Sequence, residues 1–155
     1  MEHNLKAKRN ALRSAYIELI EGFNPNAFVT LALNKSSTVE EVTRLVGRFC
    51  GIMDRRLLGH TWHKLSPDRR TDGVFLIEHV GTNIHAHGIL RFPIDDLSVL
   101  DAQIMLVWNR LTEAGTTDAK AITDTNRLAR YCTKEIPGFV YDADQVVLPR
   151  QFMNG

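Results

Sequence analysis

Two histidines one residue apart, His85 and His87, are the first residues in this chain whose types and spacing point to chemistry. The run Ile84–Phe92 reads as a strand, on which residues i and i+2 share a face. Both imidazoles therefore project together, while Ala86 points to the opposite side. Two neighbouring imidazoles bind a divalent ion once a third donor joins them. Glu78, on the preceding apolar run Val74–Val80, is the natural candidate. Gly81-Thr82-Asn83 forms a short turn between the two runs, which makes them an antiparallel hairpin. Glu78 then lies roughly opposite Asn83–His87, within cross-strand reach of the pair. One carboxylate with two imidazoles suits a phosphate-polarising Mg²⁺ or Mn²⁺ better than a closed structural zinc, which wants four ligands. His79 alternates to the other face of its strand and is not counted as a ligand.

A second constellation is Tyr131-Cys132-Thr133-Lys134. On a helix Tyr131 and Lys134 stand at i and i+3 and are surface neighbours. Leu128, Ala129, Cys132 and Ile136 form the packing side of that helix. Arg127, Arg130 and Lys134 gather on another side, with Tyr131 at the seam. A phenol of pKa ~10 is a weak nucleophile. A metal-polarised phosphorus and a nearby ammonium assist it by stabilising phenolate and developing phosphate charge. The plainer alternatives are a tyrosine packed at the core edge and strand histidines that are simply half-buried polar residues.

Taken in order, Phe28-Val29-Thr30-Leu31, then Glu78…His85-Ala86-His87, then Tyr131-Cys132-Thr133-Lys134-Glu135 resemble the three motifs of HUH endonucleases. Within that superfamily the likeness is greatest to the nickase domains of rolling-circle replication initiator (Rep) proteins. The last string is especially similar to the third motif of Reps from small circular single-stranded DNA viruses. The resemblance spans residues 27–136. It implies that His85, His87 and Glu78 hold Mg²⁺ or Mn²⁺, that Tyr131 is the nucleophile and that Lys134 is its electrostatic partner. Arg127, Arg130 and Thr30 are then expected to contact the DNA. The implied activity is site-specific nicking and strand transfer on single-stranded DNA, including a strand presented as a hairpin origin, through a covalent 5′-phosphotyrosine that initiates rolling-circle replication. Ala86 stands where bulkier hydrophobes are common, and the motif carries one tyrosine rather than two. The chain contains no Walker A sequence, so unwinding is expected from a host helicase. Two other readings stay open: a single-stranded nucleic-acid-binding module without catalysis, and a metal-dependent nuclease that uses water.

The elements that must position these residues follow from periodicity. Residues 5–21 predict a helix with Leu5, Leu12, Tyr16, Leu19 and Ile20 roughly on one side, broken by Asn24-Pro25-Asn26. Ala27–Leu33 predicts a strand. Ser37 or Thr38 can cap the next helix, with Glu40 and Glu41 in its first turn and apolar positions continuing to about Leu57. Residues 58–73 read as a polar loop ahead of the hairpin. Leu97, Leu100, Ile104, Val107 and Leu111 mark a helix, Ala119–Thr123 a weaker strand, and Asp124 or Thr125 the cap of a helix reaching about Ile136 before Pro137-Gly138. Residues 145–149 predict a last strand. The order β-α-β-β-α-β predicts an α+β fold, the split βαβ (ferredoxin/RRM-like) arrangement: a four- to five-stranded antiparallel sheet with helices packed on it. One sheet face takes two helices, and the other is left for the terminal helices and for function. The resemblance then implies an N-terminal helix at 1–24 ahead of a Rep-like nicking domain at 25–155.

Composition narrows the function class. The 155 residues are 44% hydrophobic and 24% charged, which excludes a disordered chain, a collagen-like repeat and a disulfide scaffold. No apolar run approaches the ~18–20 residues that span a bilayer, and the basic, amphipathic start has no signal-peptide core. Cys50 and Cys132 make no framework, so a cytoplasmic location and no membrane partner are expected. Net charge is +1, but seven basic residues face two acidic ones between Arg44 and Arg70, whereas nine acidic residues face five basic ones between Asp95 and Asp144. His60, His63 and Cys50 lack a spaced fourth ligand for zinc. Trp62 offers a ring on which a base could stack, although a loop-anchoring role is the commoner one. Cys132 reads as a small packing residue.

Overall fold

In the computed structural model, which describes residues 2–80, 83–135 and 145–153, the chain forms an α+β fold. The elements are α1 (Glu2–Phe23), β1 (Ala27–Ala32), α2 (Val39–Leu58), β2 (Asp72–Val80), β3 (Asn83–Arg91), α3 (Leu97–Leu111), β4 (Thr116–Ala121), α4 (Thr125–Glu135) and β5 (Val146–Val147). The five strands form one sheet in the order β4-β1-β3-β2-β5, with every pairing antiparallel. The first four strands have the split βαβ order, and β5 extends the sheet at the β2 edge.

Side-chain alternation divides the sheet into two faces with separate cores. Val29, Leu31, Phe75, Ile77 and Ala86 point to one face and are buried under α2 and α3. There the Phe49 and Trp108 rings meet edge to face at 6.1 Å, and the fully buried Trp108 Nε1–H donates to the Ala32 carbonyl at 2.9 Å. Val74, Leu76 and Ile89 point to the other face and pack with Ile20 of α1 and Ala129 and Cys132 of α4. The helix ends follow from local chemistry. Thr38 Oγ1 caps α2 by accepting from the Glu41 N–H at 3.1 Å, and Asp96 caps α3 by accepting from Ser98 and Val99.

Three expectations need correction. The apolar stripe predicted along α1 is packed only in part: Tyr16 and Ile20 meet the sheet, joined by Ile17, while Leu5, Leu12 and Leu19 are exposed. Residues 2–12 of this helix are all exposed, so leucine spacing there had no core to report. The fourth strand lies at Thr116–Ala121 rather than 119–123, because pairing with β1 from Ala32↔Thr116 to Ala27↔Ala121 sets its span, not its weak apolar pattern. Gly73 belongs to β2 and not to the preceding loop. Its φ is +137°, and a Cβ there would lie 2.2 Å from the Ile89 carbonyl oxygen, so only glycine fits this close crossing. The turn residues 81–82, the His79 side chain and the helix stop at Ile136-Pro137-Gly138 lie outside the described residues.

Candidate metal and nucleophile site

The hairpin register decides which side chains meet. Glu78 pairs directly with His85 and Leu76 with His87, so Glu78, His85 and His87 share one face of the β2–β3 ladder. It is the same face as Val74, Leu76 and Ile89. The face is therefore apolar where α1 and α4 cover it and turns polar toward the hairpin tip. The next pairing brings in β1: Thr30 lies opposite His87 and Ala32 opposite His85.

His87 is held on three sides. Its Nε2 lies 2.8 Å from Glu78 Oε2, its Nδ1 lies 3.2 Å from Thr30 Oγ1, and Phe28 stacks on its ring at 6.1 Å between centroids with 13° between planes. A hydroxyl both donates and accepts, so Thr30 serves either tautomer. When Nε2–H donates to Glu78, Nδ1 accepts the Thr30 proton; when Nε2 offers its lone pair outward, Nδ1–H donates to Thr30. A hydrogen-bonded rear nitrogen of this kind is what orients a metal-ligating histidine. The His85 ring lies 6.1 Å from that of His87. Burial, and then the neighbouring His87, push the His85 pKa below the usual imidazole value, against an opposing pull from Glu78. His85 is therefore neutral, with a free lone pair, at neutral pH.

Among the described residues no three His, Cys, Asp or Glu side chains converge on one point as they stand. The donor set nevertheless fits a hard divalent ion. Two imidazoles and a carboxylate are donor types that a divalent ion accepts, and His87 Nε2 and Glu78 Oε2, now 2.8 Å apart in a hydrogen bond, would turn from each other to the ion. His85, paired directly across the ladder from Glu78, is the third donor on the same face.

Tyr131 comes from α4, whose Ala129 and Cys132 are buried against the sheet while Tyr131 is 59% exposed. Burial pushes the Cys132 thiol up to about 12, in keeping with a packing role. Arg13 of α1 fastens this end of α4: its Nε donates to Thr133 Oγ1 and its Nη2 to the Arg130 carbonyl, both at 3.1 Å. Tyr131, Arg127, Leu128, Lys120 and Phe28 line a groove of about 380 Å³ between α4 and the β1–β4 edge. Phe28 is the link, since it walls the groove that holds Tyr131 and stacks on His87.

Of the residues expected from sequence, the structure brings together Glu78, His85, His87 and Thr30, and sets Tyr131 and Arg127 in the adjoining groove. Arg130 is exposed on the same helix. The Lys134 side chain lies outside the described residues. Phe28 and Lys120 were not singled out for these roles; Phe28 stood inside the first motif string, but nothing in its spacing announces a stack on His87. Among the described residues His60, His63 and Cys50 do not gather into a metal-binding group. Cys50 is buried in the core, His60 and His63 are exposed, and Trp62 anchors its loop against α2. No described helix is long and apolar enough to cross a membrane. Comparisons with protein-family models, curated proteins and solved structures return no match for this chain.

Proposed function

We propose that this chain is a metal-dependent nickase and strand transferase for single-stranded DNA, of the HUH type, with Tyr131 as the attacking group. The observation that carries the reading is the continuity of the site. An exposed tyrosine opens into a groove whose wall, Phe28, is stacked on a histidine already paired with a carboxylate. In this reading His85, His87 and Glu78 hold a divalent cation, Mg²⁺ or Mn²⁺, which when bound polarises the scissile phosphate and offsets its developing charge.

The chain's own residues do the rest. Arg127 and Lys120, in the groove beside Tyr131, attract the phosphodiester backbone, and Phe28 offers an apolar edge for a sugar or base. The Tyr131 oxygen attacks phosphorus, the bond from phosphorus to the 3′-oxygen breaks, and the phenolic proton ends on that departing oxygen. The products are a 5′-phosphotyrosine and a free 3′-hydroxyl. The phosphotyrosyl linkage retains the free energy of the cleaved bond, so a 3′-hydroxyl reverses the step and joins strands without ATP. Such a reaction fits initiation of rolling-circle replication, with an origin presented as a single strand or hairpin and with unwinding by a host helicase.

Incubation of the protein with end-labelled single-stranded DNA and Mn²⁺, resolved on a denaturing gel, tests the reading. A DNA-dependent protein adduct is expected. Cut ends without an adduct indicate a water-using nuclease, and retardation in native gels alone indicates a binding module; either result removes the nickase assignment.

A further inference from the structure

The arginine-rich stretch noted in the sequence is not spent on the His–Tyr site. Its first four members, Arg44, Arg48, Arg55 and Arg56, lie on α2, which covers the opposite face of the sheet. Arg44, Arg48 and Arg55 fall at i, i+4 and i+11, one stripe of the helix, over roughly 16 Å at 1.5 Å per residue. All three are exposed, and none of their guanidinium groups has a hydrogen bond or ion pair among the described residues. The acidic residues of α2 form no ion pair with them: Glu40 and Glu41 sit in the first turn, beside Arg44 alone, and Asp54 is buried against Arg70.

Beside the stripe is a cleft of about 490 Å³ with a built aromatic lining. Its floor is Gly47 and Gly51, one helical turn apart. A Cβ at Gly47 would stand 2.6 Å from the Phe152 ring, and one at Gly51 would stand 3.3 Å from the Trp62 indole. The two glycines thus seat two rings that arrive from separate segments of the chain. Arg70 covers the Trp62 ring at 4.8 Å and braces it. Trp62 and Phe152 are both partly solvent-accessible.

We propose that this cleft and its arginine stripe are a second nucleic-acid-binding surface, which takes a few nucleotides of a single strand. Flat rings accept bases of any sequence, and a row of unpaired guanidiniums tracks phosphates. The stripe is too long for one nucleotide and matches a short run of backbone. An acidic peptide would satisfy the arginines but leave the paired rings unused; an anionic membrane would call for protruding apolar side chains rather than a cleft. The proposal stands independently of nicking. It assigns the strand flanking any processed site to the far side of the sheet.

The protein carries its own reporter. Of its two tryptophans, Trp108 is fully buried and Trp62 lines the cleft, so a change in emission on ligand addition reads this surface alone. The intact protein is titrated with oligodeoxythymidine in EDTA, which prevents metal-dependent cleavage. Saturable quenching is expected, with a dependence of log affinity on log salt of about −2 for three phosphates on a single strand. Arg44→Gln/Arg48→Gln/Arg55→Gln should weaken it at least tenfold, and Arg48→Gln alone should weaken it less with the circular dichroism spectrum unchanged. Trp62→Phe should abolish the signal. Absence of quenching, quenching that survives the arginine substitutions, or equal quenching by heparin or phosphatidylserine vesicles would overturn the proposal. Because the readout needs neither metal nor Tyr131, its failure leaves the nickase reading standing, and the reverse holds too.

Discussion

Thr30→Val is the substitution that asks most of the site. Thr30 Oγ1 lies 3.2 Å from His87 Nδ1, and valine keeps the branched shape without the hydroxyl, so β1 packing should be preserved. The net loss of one such hydrogen bond is ~0.5–1.5 kcal/mol of stability, which in a domain of this size lowers Tm by roughly 1–6 °C. The larger effect should fall on the metal. Removing an outer partner of a ligating histidine typically costs ~10–100-fold in metal affinity, equivalent to ~1.4–2.7 kcal/mol. Isothermal titration with Mn²⁺, beside thermal unfolding in EDTA, separates the two effects. Thr30→Ser keeps the hydroxyl and should recover most of the affinity, which a purely steric role for Thr30 does not predict. If Thr30→Val binds Mn²⁺ like the parent while His87→Ala loses it, Thr30 does not orient the ligand. If the parent itself binds no Mn²⁺, the assignment of Glu78, His85 and His87 as donors is wrong.

Other outcomes follow from the same geometry. His85 has a pKa held below the imidazole value by burial and by His87. The unfolded chain therefore takes up a proton first as pH falls below ~6.5. Metal-free stability should decline from there until the lower folded pKa is passed, and His85→Gln should flatten that decline in urea titrations run at several pH values. Cys50 and Cys132 are both buried with thiols pushed up, Cys132 to about 12, so neither should react with a thiol reagent until the protein is unfolded; prompt labelling of the native protein would place one of them wrongly. Gly73→Ala should be strongly destabilising in a denaturant melt, because it combines a φ of +137° with a Cβ 2.2 Å from the Ile89 carbonyl; a loss below ~1 kcal/mol would mean the β2–β3 crossing is looser than described.

The parts of the site that depend on one strand or one hairpin were legible in the sequence. The common face of His85 and His87 follows from the two-residue period, and the short turn brings Glu78 across from them; the observed Glu78↔His85 pairing lies within the expected span. The exposed seam position of Tyr131 follows equally from the buried spacing of Ala129 and Cys132 on α4. What the sequence concealed lies between segments far apart in the chain. The Phe28–His87 stack and the Thr30–His87 contact exist because β1 pairs with β3, 57 residues on in the case of Thr30, and no local pattern encodes that register. The seats of Trp62 and Phe152 on Gly47 and Gly51 are hidden for the same reason, since a helix glycine does not announce which ring will cover it. Local misreadings arose where tertiary pairing overrode propensity, as with the strand beginning at Thr116 and the glycine near the start of β2.

The most direct test of the nucleophile is to map the covalent adduct. The protein is incubated with single-stranded DNA and Mn²⁺, digested with protease and nuclease, and the modified peptide is sequenced by mass spectrometry. A phosphotyrosyl nucleotide is predicted on Tyr131, and it should disappear in Tyr131→Phe, whose exposed side chain loses one oxygen without disturbing the packed side of α4. DNA attached to Tyr16 or Tyr141, an adduct that persists in Tyr131→Phe, or cleavage that leaves no nucleotide on the protein would contradict the account.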